Sequence, residues 1–175
     1  MEEVRRVNRA VVGFTGSAGS GKDTAAKILI DDFGFSRRAF ADALKELARD
    51  YFAWPGTKDE KWRRILQVLG TEVGRAVDPD FWIKKLDQDT QTCSALVVPD
   101  VRFPNEADWI HRQDGLLIRV IGRGGLVGQA GTHASETQIL SLRADVEIIN
   151  DGTVEELHAQ VSRTTREWFR ERNIK

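Results

Sequence analysis

The sequence predicts an α/β fold of three layers, in which about five parallel strands are flanked by helices. Short apolar runs that predict strands occur at 10–15, 35–40, 94–99, 116–121 and 145–149. Helical patterns separate these runs, and strands that alternate with helices form a parallel sheet with right-handed connections. A glycine-rich turn directly after the first run is the third observation, because such a turn commonly joins a strand to a helix in this fold class.

The chain of 175 residues is long enough for one domain with a substantial core. Hydrophobic residues make up 41% and charged residues 30%, which is typical of a globular protein in water. The formal net charge of −1 provides no overall field that would attract nucleic acid or a membrane surface. We therefore expect a single domain over residues 1–175 that has neither of these partners.

Several sequence features favour the cytoplasm. Cys93 is the only cysteine, which excludes an internal disulfide and a cysteine-cluster metal site and fits a reducing compartment. The first residues, Met1 to Arg6, lack the apolar core of a signal peptide, and no apolar run reaches the length of a membrane span. A homodimer as well as a monomer is compatible with these features.

The glycine-rich turn has the spacing of the phosphate-binding P-loop, Gly-x-x-x-x-Gly-Lys, and precedes a helix predicted for residues 23–33. Glycines let successive backbone N–H groups point at an anion, and the helix adds its own N–H groups and the positive end of its dipole. Lys22 adds a mobile positive charge for the outer phosphates. The predicted phosphate-binding residues are Gly16, Ser17, Ala18, Gly19, Ser20, Gly21, Lys22, Asp23 and Thr24.

The turn departs from the usual P-loop at one position. Asp23 stands where Ser or Thr usually offers a hydroxyl to Mg²⁺. Thr24 comes next, but neighbouring side chains on a helix point about 100° apart. A magnesium ion would therefore depend on Asp23, Thr24 or a further acid, Asp100, directly or through water.

The stretch 42–90 predicts a long helical excursion between two strands. Asp42 is the predicted N-cap of its first helix. Residues 58–77 are predicted to be mostly helical, with weak points at Gly70 and Gly74. Excursions of this kind often form the substrate-binding side of an α/β protein, so we expect 42–90 to be a helical substrate-binding region.

Charged residues suited to phosphoryl transfer follow the later strands. Asp100 stands at the predicted carboxyl end of the third strand, where ligands bind in open α/β sheets, and Arg102 offers a guanidinium fork to phosphate oxygens. The glycine-rich segment 122–135 contains Arg123 and is predicted to be a lid that brings a cation to the transferring group. Each of these residues also has a structural interpretation; Asp100, for example, could cap the segment that follows it.

Five stretches together resemble the deoxynucleoside monophosphate kinases of bacteriophages, which have the P-loop nucleotide kinase fold. The resemblance extends from about residue 10 to residue 160, and the Lys22-Asp23 pair is expected in such a family. The stretches that carry it are Gly16–Thr24, Arg64–Glu72 with Asp80–Trp82, Val98–Arg102, His133–Glu136 and Ile149–Leu157.

This resemblance implies that the γ-phosphate of ATP is transferred, with Mg²⁺, to a deoxynucleoside 5′-monophosphate. It implies catalytic roles for Lys22, Asp100, Arg102 and Arg123, the last within the lid. The loop after the last strand would lie near the adenine, through Asn150, Gly152 and Thr153. The residues that would face the monophosphate or the reaction centre are Lys45, Arg64, Gln67, Trp82, Asp100 and Arg102. If a phage encodes the chain, the reaction would occur in the host cytoplasm.

Two other functions remain open at this point. The Lys22-Asp23 pair also resembles animal-type phosphomevalonate kinases, so the acceptor could be another small phosphorylated metabolite. Alternatively, the chain could be a sensor that binds ATP without transferring phosphate. An assay with a panel of acceptors distinguishes the first alternative from a nucleotide kinase, and binding without turnover would identify the second.

Overall fold

The computed structural model describes residues 9–57, 59–123, 138–139 and 141–173. The chain forms two compact units. A sheet unit comprises residues 1–37 together with 92–175, and a helical unit comprises residues 38–91. Within the described residues, no helix is long and apolar enough to span a bilayer.

The sheet unit contains the five predicted strands, and all neighbouring strands are parallel. Their order across the sheet is β2-β3-β1-β4-β5, so β1 is central. The strands are β1 Ala10–Thr15, β2 Ser36–Arg37, β3 Ala95–Val98, β4 Leu116–Gly122 and β5 Val146–Asn150. The strand predicted at 35–40 is shorter than expected, because the next helix already begins at Phe40.

Helices cover both faces of the sheet, which confirms the three-layer α/β fold. They are α1 Lys22–Phe33, α6 Pro104–Arg112 and α7 Val154–Glu171. Alternate residues of β1, among them Val12 and Phe14, pack in one apolar core with residues of α1 and α7. On the other face, a Cβ on Gly13 would lie 3.0 Å from the Ile110 side chain of α6, so glycine permits close packing there.

The helical unit consists of a chain of short helices. They are α2 Phe40–Phe52, α3 Glu60–Gln67, a π-helical segment Val68–Gly74, α4 Arg75–Val77 and α5 Phe81–Asp89. The prediction that Asp42 is the N-cap of this first helix was wrong, because the N-cap of α2 is Ala39. Asp42 is the third residue of α2, and its Oδ2 accepts a hydrogen bond from the Ala39 N–H at 2.8 Å.

Arg38 connects two helices of this unit. Its guanidinium donates to both carboxylate oxygens of Glu46 on α2, at 2.7 and 3.0 Å, and to Asp89 Oδ2 on α5 at 2.7 Å. The hydrogen bonds with Glu46 are the main reason why the pKa of Arg38 lies above its ordinary value. A planar guanidinium is suited to such paired contacts, so Arg38 fixes the start of the unit against its last helix.

Gly70 and Gly74 do not interrupt the helical run; they lie in its π-helical segment. A Cβ on Gly70 would be 2.8 Å from Leu44 Cδ2, and one on Gly74 would be 2.8 Å from the Trp82 ring. The Trp82 Nε1 donates to Gly70 O at 2.8 Å. The two glycines are thus explained by close packing of α2 and α5 on this segment.

Two buried tryptophans offer a matched test. Trp82 and Trp168 are 5% and 4% exposed, but Trp168 Nε1 has no acceptor among the described residues. Trp82→Phe removes the indole N–H that donates to Gly70 O, whereas Trp168→Phe removes no hydrogen bond to a described residue. We expect Trp82→Phe to lower the free energy of unfolding by about 1–2 kcal/mol more than Trp168→Phe, measured by circular dichroism in urea. Equal losses would contradict the role of this hydrogen bond.

Candidate active site

The carboxyl ends of the strands meet at one edge of the sheet unit. The central strand β1 leads directly into the glycine-rich turn, with β3 on one side and β4 on the other. The chain passes from β3 to β4 through α6, across the position of β1. Loops at such a switch point are the usual ligand site of an open α/β sheet.

Three glycines give the turn its shape. Gly16, Gly19 and Gly21 have φ angles of 137°, 73° and 105°, a region that other residues rarely adopt. A Cβ on Gly16 would lie 2.2 Å from Val120 O, whereas one on Gly19 would meet no described atom within 4 Å. Only glycine fits at Gly16, and the backbone at Gly19 is open for the close approach of a ligand.

The start of α1 completes an anion site. Gly21 is its N-cap, and within the described part of the chain no side-chain capping hydrogen bond occupies the first N–H groups of the helix. The Ser20 hydroxyl is buried in the turn, and no partner for it exists among the described residues. The predicted phosphate-binding residues 16–24 therefore form a turn and the first residues of α1, whose N–H donors suit phosphate oxygens.

Lys22 lies where charges of both signs meet. Its Nζ donates to Ser17 O at 2.6 Å. Burial lowers the pKa of Lys22, and the positive charge of Arg102 lowers it further. The negative charges of Asp23 and Asp100 raise it, but their effect is smaller, so the pKa remains below its ordinary value. The structure thus brings four predicted site residues, Lys22, Asp23, Asp100 and Arg102, within electrostatic range of one another.

The loop that carries Asp100 and Arg102 is held by backbone contacts. Val101 N–H donates to Phe14 O at 3.1 Å, which fixes the loop against the end of β1. Glu106 Oε2 accepts hydrogen bonds from the N–H groups of Arg102 and Phe103, at 2.8 and 3.1 Å. This role of Glu106 was not among the predictions from sequence, although an acid in the first turn of a helix that begins with proline is a known capping signal.

The end of β5 reaches the glycine-rich turn, while the ATP-binding roles of Asn150, Gly152 and Thr153 stay predictions. Asn150 Nδ2 donates to Ser20 O at 2.9 Å. Thr153 and Glu156 exchange the two hydrogen bonds of a capping box at the start of α7. The end of β5 therefore contacts the phosphate-binding turn, and the loop after it leads into α7.

Arg123 also contacts this loop. Its Nε donates to Asp151 O at 3.2 Å and its Nη2 to Gly152 O at 3.1 Å. The rest of the predicted lid, from residue 124 onwards, lies outside the described residues. The catalytic role of Arg123 remains a prediction, and the contacts seen here connect the end of β4 to the loop after β5.

The other predicted acceptor residues belong to the helical unit. Lys45 Nζ lies 3.4 Å from Asp42 Oδ1 on α2, and Arg64 is exposed on α3. Gln67 is the last residue of α3 and is half-buried. Trp82 is buried, with its indole N–H bound to Gly70 O, so packing accounts for most of its surface.

Lys22→Met tests whether the charge serves a ligand rather than the fold. Because the unfolded chain binds the proton more tightly, the charged lysine costs stability at neutral pH, and this cost disappears as the pH rises towards 10.5. We expect Lys22→Met to weaken the binding of inorganic tripolyphosphate about 10- to 100-fold, measured by calorimetry, without lowering the ligand-free melting temperature.

Lys27→Met is the matched control, because Lys27 lies on the same helix, is exposed and pairs with Asp31 at 2.8 Å. It should bind tripolyphosphate as the wild type does. A Lys22→Met protein that kept full affinity, or that melted well below the wild type, would contradict this interpretation.

Comparisons with known proteins agree with this geometry. The family described as deoxynucleotide monophosphate kinase matches residues 52–161. A putative deoxynucleotide monophosphate kinase of Acanthamoeba polyphaga mimivirus is 33% identical over 184 residues, which cover 86% of this chain and 93% of the relative. The deoxynucleotide monophosphate kinase of Enterobacteria phage T4 is 28% identical over 116 residues, 62% of this chain and 47% of the phage protein.

A solved structure supports the fold. The shikimate kinase from Aquifex aeolicus superimposes with a TM-score of 0.51, at 11% identity, and the match covers 90% of this chain and 96% of that one. This likeness concerns the fold alone. The match of the family to most of the chain, together with the mimivirus relative, shows that the chain belongs to the deoxynucleotide monophosphate kinase family.

Proposed function

We propose that the protein transfers the γ-phosphate of ATP to a deoxynucleoside 5′-monophosphate, giving ADP and the deoxynucleoside diphosphate. The observation that carries this proposal is the glycine-rich turn with Lys22, beside Asp100 and Arg102, in a chain of this family. We place the reaction in the cytoplasm, which for a phage-encoded chain is that of the host.

The chemistry suits these residues. Phosphoryl transfer needs positioned phosphates and neutralised charge more than it needs a covalent partner. The turn 16–24 would hold the ATP phosphates with backbone N–H groups. Lys22 would exchange its contact with Ser17 O for a phosphate oxygen, and Arg102 would add a second cation at the transferring group.

We further propose that Mg²⁺ accompanies ATP. Among the described residues, no group of three metal-ligating side chains is preassembled. That fits magnesium in such sites, since the ion binds through one or two carboxylates together with substrate phosphates and water. Asp23, Thr24 and Asp100 would hold it, directly or through water, and the ion would neutralise charge on the phosphates.

In this proposal, the residues predicted to contact the monophosphate keep that role. The contacts on the helical unit would come from Lys45, Arg64, Gln67 and Trp82. Family membership favours a deoxynucleoside monophosphate over a phosphomevalonate-like metabolite. It also favours an enzyme over a sensor that binds ATP without transferring phosphate.

An assay that couples ADP release to NADH oxidation tests the activity. The four common deoxynucleoside monophosphates serve as acceptors, each with ATP and Mg²⁺. We expect turnover with at least one of them, and a loss of at least about 100-fold in kcat for Asp100→Asn with folding unchanged, because a fixed charge beside Lys22 is removed.

Asp108→Asn is the control, because Asp108 is an exposed acid on α6 in the same unit. This variant should keep the wild-type rate. Tight ATP binding with no ADP release on any acceptor would support the sensor instead. Turnover that Asp100→Asn leaves intact would remove Asp100 from the reaction centre.

A further inference from the structure

Asn150 lies two strands away from β1, yet its side chain reaches the phosphate-binding turn. It is the last residue of β5, and its Nδ2 donates to Ser20 O at 2.9 Å. Strand β4 lies between β5 and β1 in the sheet. The hydrogen bond therefore crosses the end of β4.

Gly122 makes this crossing possible. It is the last residue of β4 and pairs in register with Asn150. A Cβ on Gly122 would lie 3.0 Å from Ser20 Cα, tighter than side chains normally allow. Because β4 ends in a residue without a side chain, the Asn150 side chain and the turn can approach each other across the end of this strand.

Gly21 brings the amide and the turn still closer. A Cβ at Gly21 would be only 2.3 Å from Asn150 Nδ2, and Gly21 has a φ of 105°. Any larger residue would displace the amide and strain the backbone. The Asn150 side chain thus lies directly against the peptide that joins Ser20 to Gly21.

The geometry of that peptide gives the contact its consequence. In a trans peptide the C=O and the following N–H point in opposite directions within one plane. When Asn150 holds Ser20 O, the Gly21 N–H is turned away from Asn150. A hydrogen bond accepted by the C=O also polarises the peptide and strengthens its N–H as a donor.

We infer that Asn150 is a positioning residue for phosphate binding, which orients the Ser20–Gly21 peptide so that the Gly21 N–H donates to a phosphate of the bound nucleotide. This inference rests on the proposed function and changes the predicted role of Asn150 near the adenine. Asn150 acts through the turn, so its effect is the same for every ligand that carries the phosphates, whatever base is attached.

The test compares ATP with inorganic tripolyphosphate, which lacks a base. Asn150→Leu removes the donor at similar size, and Asn150→Asp keeps the shape without the N–H. We expect each variant to weaken both ligands by a similar factor of about five to ten, measured by calorimetry. The amide proton resonance of Gly21 should also move less on adding tripolyphosphate than it does in the wild type.

Gln160→Leu is the matched control. Gln160 Nε2 donates to Ile149 O at 3.1 Å, so this variant removes an amide-to-carbonyl hydrogen bond beside Asn150 that does not involve the turn. It should bind both ligands as the wild type does. Ligand-free melting temperatures of the Asn150 variants should match that of Gln160→Leu, which separates positioning from a purely structural role.

Three results would overturn the inference. Weaker ATP binding with unchanged tripolyphosphate binding would mean that Asn150 reads the base. Unchanged binding of both ligands would mean that the hydrogen bond does not serve phosphate binding. A wild type that bound neither ligand would overturn the inference together with the proposed function. If instead the variants behave as expected but the wild type transfers phosphate to no acceptor, the proposed activity fails and the role of Asn150 in phosphate binding stands.

Discussion

The rest of the site depends on one steric constraint: the phosphate-binding turn has no room for a side chain at Gly16 or Gly21. At Gly16 the neighbouring atom is a carbonyl oxygen of β4, and at Gly21 it is the amide of Asn150. At both positions a Cβ atom would clash with this neighbour and distort the backbone of the turn. The strands around β1 therefore determine the shape of the turn as much as its own sequence does.

The electrostatics of the ligand-free turn complement this shape. Lys22 is desolvated and donates to Ser17 O, and the buried Ser20 hydroxyl has no hydrogen-bond partner among the described residues. Desolvated charges and buried hydroxyls without a hydrogen bond destabilise a folded protein. An anion of several oxygens would relieve the desolvated lysine, and the acids Asp23 and Asp100 keep its charge in place until then.

The features of the fold and site that were predictable from sequence are those encoded locally. The apolar runs predicted all five strands, and the glycine spacing predicted the turn. What escaped prediction depends on partners distant in the chain. The purpose of Gly70 and Gly74 is visible only beside Leu44 and Trp82, and Asn150 meets Ser20 across 130 residues. A single hydrogen bond between such distant residues produces no periodic pattern in the sequence from which it could be predicted.

The π-helical segment Val68–Gly74 has a further consequence for changes in chain length. Its backbone closes with i→i+5 instead of i→i+4 hydrogen bonds, so it accommodates extra chain within a helical path. Deleting one residue there would favour an ordinary α-helix, in which each position turns by about 100°. Every later side chain of the run would then face a different direction, and Gly74 would no longer lie opposite Trp82. In this unit, the packing depends on the number of residues in the segment as well as on their types.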